Sequence, residues 1–266
     1  LGEPKPEEKT VAWQTAIGLQ AGDGLTTSEY LLETAKENIE GKITIKEANA
    51  RISNYYEERS DRHAIETGTK EADIVAGRIT ALLAEKAFSF TPAAWMSIHR
   101  YLFKDVFMHA GKIRTFNIYK NEWVLNGKSV FYASYDSIPM TMEYDFKTEA
   151  AFSYKNLSRD AINRHLAQFT CDIWQIHPFG EGNTRSTAVF LIKYLSSLGY
   201  SINQECFAKK SWYFRNALVR ANYNDFQNDI YATTIYLEKF FENLLFGGKN
   251  ELKNRYLHID WKDDQK

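Results

Sequence analysis

One proline and two glycines, set between two apolar-periodic runs, constrain this chain more than any other feature. The stretch is Ile176-His177-Pro178-Phe179-Gly180-Glu181-Gly182-Asn183-Thr184-Arg185. Upstream, Ile162, Leu166, Phe169 and Ile173 recur at helical spacing and Ser158 stands where an N-cap belongs, so a helix is expected over Ser158 to Ile176. Pro178 has no amide hydrogen and disfavours helical dihedrals at the residue before it, which stops that helix at His177. Gly180 and Gly182 permit a tight loop with exposed backbone. A second helix is expected from about Asn183, with Ala188, Leu191, Ile192 and Leu195 on its buried side. The product is helix, short loop, helix, with a histidine ending the first and an arginine in the opening turn of the second.

That arrangement suits phosphate chemistry. Unpaired N–H groups at a helix N-terminus, together with the helix dipole, attract anions. Arg185 adds a planar, permanently charged fork. Glu181 conflicts with an anion site unless a cation bridges the two, and Mg2+ held by a carboxylate and substrate phosphates would do so. His177 can take a proton from an attacking hydroxyl near neutral pH. The bland alternative is a glycine-rich turn with a capping Asn and surface charges, which four chemically matched side chains in so short a span make the weaker account.

His177-Pro178-Phe179, Glu181-Gly182-Asn183 and Arg185 together resemble the signature of Fic-domain proteins. The resemblance implies an all-α fold, a Fic helical bundle with a small β-hairpin flap, and AMP transfer from ATP to a protein hydroxyl. It implies His177 as general base and Glu181 as Mg2+ ligand. Gly180, Gly182, Asn183 and Thr184 would cradle the nucleotide phosphates, Arg185 would clamp them, and Phe179 would anchor the loop. Two positions depart from the pattern. The family usually has Gly or Lys where Thr184 stands, and many active members carry a second Arg at the place of Ala188.

Composition bounds the alternatives. A chain of 266 residues with 44% hydrophobic and 25% charged residues is ordinary for a globular protein of one large or two small domains. A net charge of −1 gives no electrostatic reason to expect a nucleic-acid or membrane partner. Cys171 and Cys206 are too few and too far apart for a disulfide framework or metal cluster. No apolar run approaches the roughly 20 residues of a membrane span. No signal peptide is recognisable, although the chain opens on Leu1 rather than Met, and the expected location is cytoplasmic.

From the start, Val11 to Leu19 predicts a short buried helix ended by Gly22 and Gly24. Thr27 or Ser28 caps a helix to about Ile39, and a third runs from Thr44 to about Arg59 with Ile45, Ala48 and Ile52 on one face. Ile39-Glu40-Gly41-Lys42 and the residues after it resemble part of the small antitoxin that accompanies some Fic proteins, fused here at the N-terminus. In that family an inhibitory helix with a Ser/Thr-x-x-x-Glu pattern enters the nucleotide site, and its Glu pairs with the second Arg. On that resemblance Ala16 to Gln20 would be the corresponding stretch, ending on neutral Gln20, so the usual Glu–Arg pair is expected to be lost from both sides. Ser53 to Glu57, Thr67 to Glu71 and Thr234 to Glu238 also match the pattern, which exposed helix faces produce routinely.

Arg59 to Thr69 reads as a polar connector, followed by a helix from Lys70 to about Lys86 and another opened by Thr91-Pro92. His99 and His109 lack spaced partners and are expected to be structural. Asn126-Gly127, flanked by Trp123, Val124, Val130 and Tyr132, is a strong hairpin signal, and by the resemblance this hairpin would be the flap on which a protein target docks. Ser211 opens a helix whose Tyr213 and Asn216 could line an adenine pocket or simply join the core. Ile230 to Phe246 forms a closing helix ended by Gly247-Gly248. In the tail, Tyr256, Leu257, Ile259 and Trp261 could dock, and Asp263 to Lys266 should fray.

The expected organisation is an antitoxin-like helical region over 1–65, a Fic core over 66–248 and a tail over 249–266. The expected function is AMPylation: AMP moves from ATP, with Mg2+, to a Tyr, Ser or Thr hydroxyl of a protein target docked near Trp123 to Tyr132. A homodimer is left open. Transfer of another nucleotide or of phosphate, AMP removal, and a non-catalytic nucleotide-sensing or partner-binding scaffold are the alternatives.

Overall fold

Every residue from Asn183 to Leu195 is buried, and three other helices pack directly on that rod. The computed structural model describes residues 3–57 and 65–261. In chain order its helices are α1 (Pro6–Gly22), α2 (Glu29–Ile39), α3 (Ile45–Glu57), α4 (Ile65–Ala84), α5 (Pro92–Phe103), α6 (Ile138–Ala151), α7 (Arg159–Ile176), α8 (Asn183–Ser197), α9 (Glu205–Ala221) and α10 (Ile235–Leu245). Helices α4, α5 and α7 pack on α8, while α10 and α7 contact α9. The fold is therefore all-α, as expected, and none of its described helices is long and apolar enough to cross a membrane.

Capping explains several boundaries. The Ser28, Thr91 and Ser158 hydroxyls accept from the amides of Leu31, Ala94 and Ala161, opening α2, α5 and α7 where the sequence places them. Thr44 and Glu47 form a reciprocal capping box at the start of α3. Helix α7 stops at His177, which takes left-handed dihedrals (φ 46°, ψ 59°) ahead of Pro178.

The first three helices are fastened to the rest. Buried Asp73 of α4 accepts from the Ser28 amide at 2.9 Å and hydroxyl at 2.5 Å, and from the Tyr56 hydroxyl at 2.6 Å. Helix α1 lies between α4 and α9. It approaches α9 so closely that a Cβ on Gly18 would fall 2.2 Å from the Ala208 carbonyl oxygen.

Several expectations need correction. The hairpin does not form strands. Instead the chain reverses through a 3-10 turn, Trp123–Leu125, with Asn126 left-handed. Val124 and Leu125 are both fully buried, and consecutive buried residues do not suit a hairpin strand with one face to solvent. The backbone bond from Glu122 N to Lys128 O at 3.0 Å nevertheless closes a hairpin-like loop. The connector expected over 59–69 is helical from Ile65 onward, and its earlier part lies outside the described residues. Helix α6 had not been anticipated. It buries Ile138, Met142 and Phe146, too few apolar positions to stand out in sequence. Helix α9 begins at Glu205 but breaks its dihedrals at Lys210, so the regular segment does open at Ser211. Ile230 bridges to Asp225, which delays α10 to Ile235. In the tail, Leu257 is buried and Ile259 donates to the Val124 carbonyl at 2.9 Å; the residues expected to fray lie outside the described residues.

Gly18→Ala should destabilise the protein by about 1–3 kcal/mol, the usual cost of overpacking, because the Ala208 backbone cannot yield as a side chain could. A urea unfolding midpoint for the variant equal to that of the parent would show that α1 is not held this tightly.

Candidate active site

The loop between α7 and α8 is closed by its own side chains. The Phe179 amide donates to Asn183 Oδ1 at 3.0 Å, and Asn183 Nδ2 donates back to the Phe179 carbonyl at 2.8 Å. Phe179 is fully buried against His99, ring centroids 3.7 Å apart, and against Trp95. Gly182 caps α8 with φ +76°, and a Cβ there would meet the Phe103 ring at 2.4 Å. A glycine N-cap has no side-chain acceptor, so the first amides of α8 have no side-chain cap.

His99 is structural, as expected, and more specific than a filler. The Gly111 amide donates to its Nδ1 at 2.9 Å, so its proton sits on Nε2, 2.8 Å from the Glu181 carbonyl. Burial is the main cause that pushes its pKa down to about 4. The neutral ring thereby spaces the loop from the 109–111 turn. His109 stacks on Phe107 and lies under Gly180, where a Cβ would approach its Nε2 to 3.0 Å.

His177 lines a cavity of about 470 Å³ together with Glu181, Gly182, Asn183, Thr184 and Arg185. Its Nδ1 lies 2.9 Å from the Trp174 carbonyl and donates to it, which leaves Nε2 as the proton-accepting nitrogen. Burial first and Lys120 second hold the imidazole well below its ordinary pKa, with the Trp174 carbonyl opposing them. It is neutral and able to accept a proton.

Each cation of the cavity faces a carboxylate. Lys120 Nζ is 2.8 Å from Glu181 Oε2. Arg215 meets Glu122, with Nη1 2.7 Å from Oε2 and Nη2 donating to Oε1 at 3.0 Å. Arg185 is buried on the face of Phe103 and held from three sides. Nη1 donates to Gln20 Oε1 at 2.8 Å, Nη2 to Glu71 Oε1 at 2.6 Å, and Nε lies 2.7 Å from Asp23 Oδ2. Gln20 does reach the site. Position 20 offers only a neutral partner and position 188 no charge, so that Glu–Arg pair is absent, while Arg185 is paired separately by Asp23 and Glu71. Of the three other Ser/Thr-x-x-x-Glu matches, the one ending at Glu71 leads to this site; Thr234 and Glu238 merely bond each other at 2.7 Å.

Thr184 accepts from the Trp174 indole at 3.1 Å. Gly180 lines a shallower hollow next to the main cavity. Tyr213 and Asn216 do not line the cavity. Tyr213 is buried with its hydroxyl donating to the Tyr236 carbonyl at 3.3 Å, and Asn216 Nδ2 donates to Asn254 Oδ1 at 2.8 Å. Trp212 and Arg215, on the neighbouring stripe of α9, line it instead. The sequence offered no signal to choose between those stripes. Asp23, Lys120 and Trp174 were missed because only long-range packing brings them here.

Glu181 can serve a Mg2+ ion. Its side chain is more than half exposed, it lines the cavity, and one carboxylate with substrate phosphates is an ordinary Mg2+ environment. Lys120 would have to move aside. No group of three potential protein ligands occurs among the described residues, which that mode does not require.

The lowered pKa of His99 sets a pH dependence. Its contribution to stability is complete above the unfolded value of about 6.5 and is lost as pH falls towards about 4, amounting to about 3 kcal/mol at most. His99→Gln should flatten that acid limb of the urea midpoint against pH, and an unchanged acid limb would contradict it.

Residues 89–195 match the Fic/DOC family. A probable protein adenylyltransferase, y4lH, of Sinorhizobium fredii is 28% identical over 130 residues, 48% of this chain and 64% of that protein. The probable protein adenylyltransferase Fic of Salmonella typhimurium is 24% identical over 116 residues, 44% of this chain and 55% of that protein. The match thus spans less than two thirds of either relative. Among solved structures, BepC of Bartonella tribocorum with bound AMPPNP aligns with a TM-score of 0.53 at 18% identity, covering 68% of this chain and 87% of that one. The N-terminal Fic domain of Bep8 from Bartonella sp. 1-1C aligns at 0.54 and 18%, covering 69% and 87%. The closed His177–Arg185 loop lies inside the segment of this chain that matches the Fic/DOC family.

Proposed function

We propose that the protein transfers AMP from ATP to a Tyr, Ser or Thr hydroxyl of a target protein. The observation that carries this reading is His177, whose free Nε2 shares a cavity with the uncapped N-terminus of α8 and with Arg185. The relatives named as probable adenylyltransferases and the AMPPNP-bound neighbour support it. The α8 amides and Arg185 bind the phosphates, and Gly182 and Asn183 keep the backbone close to them. His177 Nε2 takes the proton of the target hydroxyl as its oxygen attacks the α-phosphorus. The bond from that phosphorus to the bridging oxygen breaks and pyrophosphate leaves. Mg2+ on Glu181 would supply charge neutralisation for the phosphates. The target segment lies along the extended chain after Lys128, close to Tyr132.

Ala188 favours a second reading. With no second guanidinium on α8, Arg185 is the one arginine of that helix on the phosphate chain, and a reversed nucleotide would present its γ-phosphorus and lead to phosphate transfer. Parallel assays with α-labelled and γ-labelled ATP separate the two.

His177→Ala should lower label transfer at least about 100-fold, the scale of general-base catalysis, and undiminished transfer would end the proposal. Asp23→Asn combined with Glu71→Gln should tighten ATP binding roughly tenfold, or about 1.4 kcal/mol, because the phosphates no longer compete for Arg185. The same variant should melt at a lower temperature, since it leaves a buried guanidinium underpaired. Calorimetric titration beside a melting curve reads both, and weaker ATP binding would refute the competition.

A further inference from the structure

His177 is in contact with two aromatic rings and held at one nitrogen. The Tyr132 ring lies 4.1 Å from it, centroid to centroid, and the Trp174 ring meets it at 4.7 Å and 89°. The Trp174 carbonyl takes the Nδ1 proton. Each of these aromatic side chains is itself fixed. The Trp174 indole N–H donates to the Thr184 hydroxyl at 3.1 Å, across the loop from α7 to the first turn of α8. Tyr132 is secured twice. Its hydroxyl is 3.4 Å from Glu122 Oε1, and Glu122 is fully buried and paired with Arg215. Its backbone neighbours are laced to the end of α7: the Ala133 amide donates to the Gln175 carbonyl at 3.2 Å, and Gln175 Nε2 to the Phe131 carbonyl at 2.6 Å.

We infer that Trp174 and Tyr132 are positioning residues for His177, with Thr184 locking the tryptophan, so that the imidazole is kept as one tautomer in one orientation. The inference rests on His177 acting as the base, the reading proposed above. It gives Thr184 a task that Gly or Lys at that position could not perform, because neither offers the indole an acceptor oxygen. It also makes the segment proposed to guide the target part of the mounting of the base. Tyr132 works here as a ring and not as an acid. Burial, with Glu122 adding to it, raises its pKa far above the ordinary phenol value, so it stays protonated.

The test uses Thr184→Val, which keeps the shape and removes the acceptor, beside Thr184→Ser, Trp174→Phe and Tyr132→Leu, on the full chain. Kinetics and the ¹⁵N imidazole spectrum of His177 are the two readouts. Thr184→Val, Trp174→Phe and Tyr132→Leu should each lower kcat roughly tenfold or more, as small misplacements of a catalytic group do. KM should stay within about twofold, the split expected when ground-state binding is untouched. Thr184→Ser should restore kcat. Thr184→Val with Trp174→Phe should be no worse than either alone, since both break the same bond. The spectrum should change from a single Nδ1–H tautomer to a mixture in Thr184→Val. An unchanged tautomer with unchanged kcat would overturn the inference, as would a rise in KM alone, which would make Thr184 a nucleotide contact. If His177→Ala leaves transfer intact, the proposed base role fails, while the tautomer spectrum still decides whether Thr184 and Trp174 orient the ring.

Discussion

Helix α7 ends inside the protein, and its last carbonyls must find donors there. Arg114 supplies them. Its Nε donates to the His177 carbonyl at 2.8 Å and its Nη2 to that of Ile176 at 3.3 Å. The same guanidinium donates to the Phe116 carbonyl at 2.6 Å and the Ala133 carbonyl at 2.5 Å. A planar fork with donors in fixed directions can bridge four carbonyls on three segments, which an ammonium cannot. The left-handed turn at His177, the loop after it and the segment bearing Tyr132 therefore share one donor. That is how a single helix end can carry both His177 and its surroundings.

The cavity beside that turn is balanced in charge rather than simply positive. Arg185 faces Asp23 and Glu71, Lys120 faces Glu181, and Arg215 faces Glu122. Taking an unpaired guanidinium out of water would be costly, so Arg185, almost wholly buried, needs an anion at all times. An exchange of carboxylates for phosphates, as proposed, would keep it paired throughout, which would make the exchange energetically mild and sensitive to the carboxylates. Those carboxylates come from the end of α1 and from α4. The N-terminal helices are thus part of the site itself. Gln20 contributes only a neutral bond, and the charge stands three residues further on, at Asp23, just past the end of that helix.

Local chemistry was legible in the sequence, and long-range convergence was not. Caps at Ser28, Thr91 and Ser158, and the stop imposed by Pro178, act within one turn of helix and can be read from adjacent residues. The loop from His177 to Arg185 was legible for the same reason. The turn at Trp123–Leu125 was misread because Asn126-Gly127 between aromatic and β-branched residues carries the local signature of a hairpin. Burial of Val124 and Leu125 together then overrode that preference. Helix α9 shows the same limit: its 212/215 and 213/216 stripes are both aromatic and polar, and the partners of the second, Tyr236 of α10 and Asn254 of the tail, lie far along the chain. The pairs that complete the site, Asp23 and Glu71 with Arg185 and Glu122 with Arg215, join positions far apart in sequence.

The two departures from the signature have separate physical consequences. Thr184 is accounted for by its bond to Trp174, a local matter of holding a ring. Ala188 is fully buried in a helix that is buried on all sides down to Leu195. An arginine there would need its own anion, and the acidic side chains that reach this end of α8 are already committed to Arg185. Replacing Ala188 by Arg would therefore bury an unmatched charge unless a further carboxylate came with it. Arg185 and the α8 N-terminus are what α8 itself presents to an anion, and Lys120 and Arg215 line the same cavity as Nε2 of His177.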